Sequence, residues 1–179
     1  MKDVTQDHSP LPADNLARTM TLARPNTDEG LRHVSVVGDT YTILLDGKQT
    51  DGHTCLIDMH IPKGGGPPPH RHDFEETFVV MEGEIEATFR DEKATVRAGE
   101  TLNIPANAPH SFTNLQDAPA RLLCLCCPSG QEEFFLLIGP LVPTRTSPPP
   151  PISDEEKKAF AQKAAKLAPE YRTEMLPKA

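Results

Sequence analysis

The chain has 179 residues, 37% of them hydrophobic, with 19 prolines and a formal net charge of −8. This length fits one ordinary core with polar extensions better than two domains. The acidic balance, without a basic stripe, argues against nucleic acid as a partner, and no apolar run approaches the ~20 residues of a membrane-spanning helix.

Residues 1–30 read as a loosely structured N-terminal extension, interrupted by Pro10, Pro12 and Pro25 and carrying His8. Its start, "MKDVTQDHSP", lacks the apolar segment of a secretory signal, so a cytoplasmic location is expected. Within it, "LARTMTLA" (16–23) reads as a short strand.

From 31 to 142 the pattern changes. "VSVVG", "YTILLDG", "TCLIDMHIP", "TFVVMEGEIEATFRDE", "ATVRAGETLNIP", "HSFTNL" and "RLLCLCCPSG" succeed one another, each of strand length and closed by Gly, Pro, Asn or Asp. No helix-length periodic segment is expected among them. Many short strands at regular spacing predict an all-β sandwich or barrel, and the absence of an internal repeat predicts a single one.

"PTRTSPPPP" (143–151) opens a proline-stiffened linker over 143–152. Residues 153–179 are a C-terminal helix and tail. Ser153 and Glu156 form a capping box, and Phe160, Ala164 and Leu167 recur at helical spacing. The helix is expected to pack on the barrel exterior; its functional alternative is a lid or a dimer arm.

The chemistry concentrates in "GGGPPPHRHDFEETFVVMEGE" (64–84). Alternate residues of a strand share a face, so His70 and His72 point the same way, and Glu76, Phe78 and Val80 keep that parity if the strand phase survives the local turn. Two imidazoles and a carboxylate make most of a site for a divalent first-row metal. A fourth candidate, His110, follows in "GETLNIPANAPHSFTN" (99–114), held by Pro105 and Pro109. His33, His53 and His60 have no such context and are read as structural.

These two segments resemble the paired motifs of the cupin family. Gly64, His70, His72, Glu76 and Gly83 stand at the offsets of the first motif, and Gly99, Pro105, His110 and Asn114 at those of the second. One position departs: Asn107 replaces the usual glycine, and asparagine tolerates a left-handed backbone. The resemblance spans roughly 31–139 and extends to small single-domain, quercetin-dioxygenase-like cupins. It implies a double-stranded β-helix (a jelly-roll barrel) holding one divalent transition metal, whether Fe, Mn, Ni, Cu, Co or Zn, on His70, His72, Glu76 and His110. It implies further that Glu76 doubles as a catalytic base, and that two barrels pair as a homodimer.

Met59, Phe78, Val80 and Phe112 are candidate pocket residues for a small-molecule substrate, and Phe134 and Phe135 could close the barrel mouth. The function expected is that of a metal-dependent dioxygenase acting on an enolic or phenolic compound. The alternatives are a non-catalytic sensing or binding cupin and a metal-dependent isomerase or lyase. The four cysteines, Cys55, Cys124, Cys126 and Cys127, are expected to be reduced and mostly buried. Cys124 and Cys126 share a strand face, but the spacing supplies no further ligands for a thiolate metal site, so they are read as small core residues.

Overall fold

The computed structural model describes residues 10–177; His8 lies outside them. Strands dominate. They are β1 (His33–Val36), β2 (Asp39–Leu45), β3 (Cys55–Ile61), β4 (His70–His72), β5 (Glu75–Glu82), β6 (Glu84–Phe89), β7 (Glu92–Arg97), β8 (Thr101–Ile104), β9 (His110–Thr113), β10 (Ala120–Cys127), β11 (Leu141–Val142) and β12 (Thr173–Met175). Two helices accompany them, α1 (Gln131–Ile138) and α2 (Asp154–Leu167), with a 3₁₀ turn at Ala168–Tyr171.

The strands form two antiparallel sheets. One runs β11-β1-β2-β3-β10-β5-β8 and the other β12-β4-β9-β6-β7. Each sheet turns an apolar face inward because its strands alternate. In β5, Glu76, Phe78 and Val80 are buried, while the residues between them are less so; β10 does the same with Leu122, Cys124 and Cys126. Ile57, Phe78, Val80 and Leu122 of the first sheet and Ile85 and Phe112 of the second fill the space between them. Each such side chain contributes roughly 1.5–3 kcal/mol by leaving water. This is the jelly roll that the resemblance implies, and it meets the expectation of a sandwich or barrel from the spacing of the strands.

The two metal-motif segments lie in different sheets. β4 and β9 belong to the smaller sheet, where His70 stands directly opposite His110. Asp73 and Phe74 then carry the chain across to β5 in the larger sheet. The shared parity of His70, His72 and Glu76 therefore survives as convergence across the barrel, rather than as one continuous strand.

Three expectations are corrected. "LARTMTLA" forms no strand. A helix, α1, interrupts the supposed all-strand stretch. Its signal was short: eight residues, with Glu132 and Glu133 in the first turn, where the helix dipole favours acids. Glu132 is buried and accepts from the backbone N–H of Gly47 and of Gly130, each at 2.8 Å. Finally, α2 does not lie on the outer face of a sheet. Its neighbours are α1 and the 3₁₀ turn, and its small face, including Phe160 and Ala164, borders the barrel's internal cavity. The capping box is present: Ser153 Oγ accepts from Glu156 N at 3.2 Å, and Glu156 Oε2 accepts from Ser153 N at 2.7 Å.

Candidate metal centre

The approach to β4 is tightly built. Gly66 has φ 123°, and a Cβ there would come within 2.1 Å of the Phe112 carbonyl oxygen, so only glycine fits. Pro67–Pro69 follow, and β4 then alternates strictly: His70 and His72 are buried and Arg71 is exposed. Behind His110, Asn107 occupies the left-handed region at φ 69° and donates its N–H to the His72 carbonyl at 2.6 Å. The asparagine that departs from the family motif thus takes up the backbone geometry its position requires.

The side chains of His70, His72, Glu76 and His110 are all buried, with one ligand atom from each lying within 4.8 Å of the others. Each imidazole is held from behind. Nδ1 of His70 meets the Pro68 carbonyl at 2.9 Å, that of His72 the Phe74 carbonyl at 2.9 Å, and that of His110 the Ala108 carbonyl at 3.0 Å. A carbonyl only accepts, so each Nδ1 carries the hydrogen and a neutral ring presents an Nε2 lone pair. His72 is fixed further by stacking on Phe74, with ring centroids 3.8 Å apart and planes within 4°.

Nε2 of His72 and Nε2 of His110 both lie 3.1 Å from Glu76 Oε2. With neutral rings this brings two lone-pair donors against one carboxylate oxygen, which is unfavourable unless positive charge sits among them. Protons or a metal ion can supply that charge. Three imidazole nitrogens and one carboxylate oxygen, backed by second hydrogen bonds, suit a divalent first-row ion, so the residues present fit the expected group. Burial works to raise the Glu76 pKa, but the hydrogen bonds and charges of His110 and His72 outweigh it and hold the carboxyl far below the usual range. Burial, joined by the neighbouring His110, lowers His70 to about 4.

A cavity of about 920 Å³ reaches this cluster at His70 and Glu76. Its walls are Tyr41, Met59 and Phe78 from the barrel, Phe134 and Phe135 from α1, and Phe160 from α2, with Pro149–Pro151 of the linker at its border. Of the candidate pocket residues, Met59 and Phe78 line this space. Val80 is buried elsewhere in the core, and Phe112 packs edge-on against Phe78 with centroids 5.3 Å apart. Tyr41 had no motif to mark it, and only its place on β2 brings it to the cavity.

Among the described residues, the other histidines lie apart from the cluster. His33 Nδ1 contacts Thr42 Oγ1 at 2.7 Å, His60 is half-buried and His53 is exposed. All four cysteines are free thiols; Cys55, Cys124 and Cys126 are buried and Cys127 is exposed.

Residues 57–126 match the Cupin domain family. An uncharacterized protein of Methanocaldococcus jannaschii is 32% identical over 117 residues, 64% of this chain and 94% of that protein. The chain belongs to the cupin family. This cupin is also similar to Quercetin 2,3-dioxygenase of Bacillus subtilis, at 28% identity over 100 residues, 55% of the chain and 29% of the dioxygenase. It therefore spans less than a third of that relative's length. Two solved structures share the fold. A "predicted oxalate decarboxylase" from Thermotoga maritima superposes with a TM-score of 0.53 at 16% identity, covering 60% of this cupin and 99% of that chain. An RmlC-like cupin from Shewanella frigidimarina gives 0.51 at 14% identity, covering 62% and 99%.

Proposed function

We propose that this cupin is a metal-dependent, dioxygenase-like oxidoreductase acting on a small enolic or phenolic substrate. The observation that carries the reading is the floor of the cavity. Three imidazoles, each locked by a backbone carbonyl, converge on one carboxylate beneath walls that are mostly apolar. Similarity to a quercetin dioxygenase supports the same chemistry, across 29% of that enzyme.

His70, His72, Glu76 and His110 would hold the ion, which when bound supplies Lewis acidity and electron transfer toward dioxygen. The remaining work falls to the chain. Glu76, whose carboxylate borders the cavity, accepts the enol or phenol proton. Met59, Phe78 and Phe135 grip an apolar ring or chain and exclude water from the reacting oxygen. Tyr41 Oη is engaged with Asp39 at 3.1 Å and stiffens one wall.

The test begins with metal analysis of protein purified without affinity metals. Oxygen consumption is then followed with flavonols, diketones and catechols. Uptake with at least one compound class, lost in Glu76→Ala and His110→Ala, is expected. A metal-replete protein that retains such ligands but consumes no oxygen would overturn the reading in favour of a sensing module.

A further inference from the structure

Glu76 has two oxygens, and only Oε2 faces the imidazoles. Oε1 faces the opposite way, toward the thiols of β10. Cys124 Sγ lies 3.2 Å from it and Cys126 Sγ 3.9 Å, while the two sulfurs are 3.6 Å apart. Register explains the convergence: Cys126 pairs with Glu76 across β10 and β5, and Cys124 stands two residues along on the same inward face. All three side chains are buried. The carboxylate oxygen is the ligand whose apparent absence from the sequence argued against a thiolate site.

The geometry points to a second cation site in this barrel, formed by Cys124, Cys126 and Glu76 Oε1, selective for soft or borderline ions such as Zn(II), Cu(I) or Cd(II). The distances suit such an ion. A triangle with sides of 3.2, 3.6 and 3.9 Å has its centre about 2.1 Å from each corner, and an ion about 1 Å above that plane sits ~2.3 Å from all three atoms, the length of a zinc–sulfur bond. Such an ion makes these atoms the base of a tetrahedron. Cys55, buried and paired with Cys126 across β3 and β10, places another thiol beside the cluster.

Binding forms two metal–sulfur bonds and releases two thiol protons to solvent, with no change of oxidation state. The cavity that reaches Glu76 gives an ion a path as far as the shared carboxylate. In this arrangement Glu76 bridges a hard imidazole site and a soft thiolate site, so occupancy of one adjusts the other through a single side chain.

Cadmium is the probe, and Cys127→Ser is the background, which removes the exposed thiol. Titration of the full chain should raise the ultraviolet thiolate-to-cadmium charge-transfer band with release of two protons per ion. The band should persist in a His70→Ala, His110→Ala variant. It should disappear in a Cys124→Ser, Cys126→Ser variant, with cadmium affinity lower by about 100-fold or more. Circular dichroism confirms that each variant is folded. Should the double serine variant fail to fold, cadmium-113 resonance on the Cys127→Ser protein alone reads the sulfur ligands, and two or more are expected. A folded Cys127→Ser protein without the band, a band that survives loss of Cys124 and Cys126, or one that vanishes with the imidazoles overturns the assignment. None of these readouts depends on oxygen chemistry.

Discussion

At Asp39 the barrel buries a carboxyl that it only half satisfies. Oδ2 accepts from Tyr41 Oη and from the Gly66 N–H, each at 3.1 Å, while Oδ1 has no partner among the described residues. Burial, only partly offset by those two hydrogen bonds, raises its pKa to about 7 from 3.8. Between about pH 4 and pH 7 the folded chain then holds a proton that the unfolded chain has lost. Stability therefore falls as pH rises through this window, by up to about 4 kcal/mol, and the loss is complete above it. Urea unfolding at about pH 5 and pH 8 should show that slope in the native protein and a flatter one in Asp39→Asn. At this scale the sequence was legible where a motif fixed the spacing. His70, His72, Glu76 and His110 could be named because strand parity and two loops determine their directions. Cys124 and Tyr41 could not, because their roles depend on which strands lie beside β10 and β2, and no local pattern states that register.

Strand pairs set the next level. β3 and β10 are joined inside the larger sheet by Asp58, which is fully buried and bound by Arg121 at 2.8 Å and 3.0 Å. Removing the guanidinium in Arg121→Ala strands a buried carboxylate. The expected cost is about 3 kcal/mol, the lower end for a broken buried pair because Arg145 stands within 3.9 Å, and denaturant unfolding measures it. β4 has a different dependence. It pairs with β9 only at His70, but with β12 at all three of its residues, and Arg172 reinforces the joint through Asp73 at 2.7 Å. Glu174→Pro removes the N–H that faces Arg71 in that short ladder and should weaken divalent-metal affinity by about 10-fold, as seen by competition with a chromogenic chelator. The capping box made α2 readable from four residues. β12 was not readable: three residues, "TEM", have no periodicity, and their partner lies a hundred positions earlier.

For the whole molecule, the decisive relation is that the C-terminal segment returns to the site. Pro149–Ile152 and one face of α2 border the cavity, and Thr173, Met175 and Leu176 border it again. Of α2 only Ala164 is buried, with Phe160 and Leu167 partly buried against the core, so few side chains hold the helix. Phe160→Glu places a charge on an apolar wall and should raise KM for an apolar substrate by about 10-fold while leaving metal content unchanged. We also propose a homodimer. β11 is a sheet edge with Leu141 66% exposed, and such an edge invites pairing. Light scattering should give twice the chain mass, falling to the monomer value in Leu141→Lys.

The ladder between β4 and β12 also sets an order of assembly. Two of the four candidate ligands sit on a strand whose main hydrogen-bonding partner begins at residue 173. During synthesis the barrel strands emerge first, yet β4 lacks that partner until about a hundred further residues have left the ribosome. Metal loading should then wait for β12, and a ribosome-stalled nascent chain ending before β12 should retain the ion poorly.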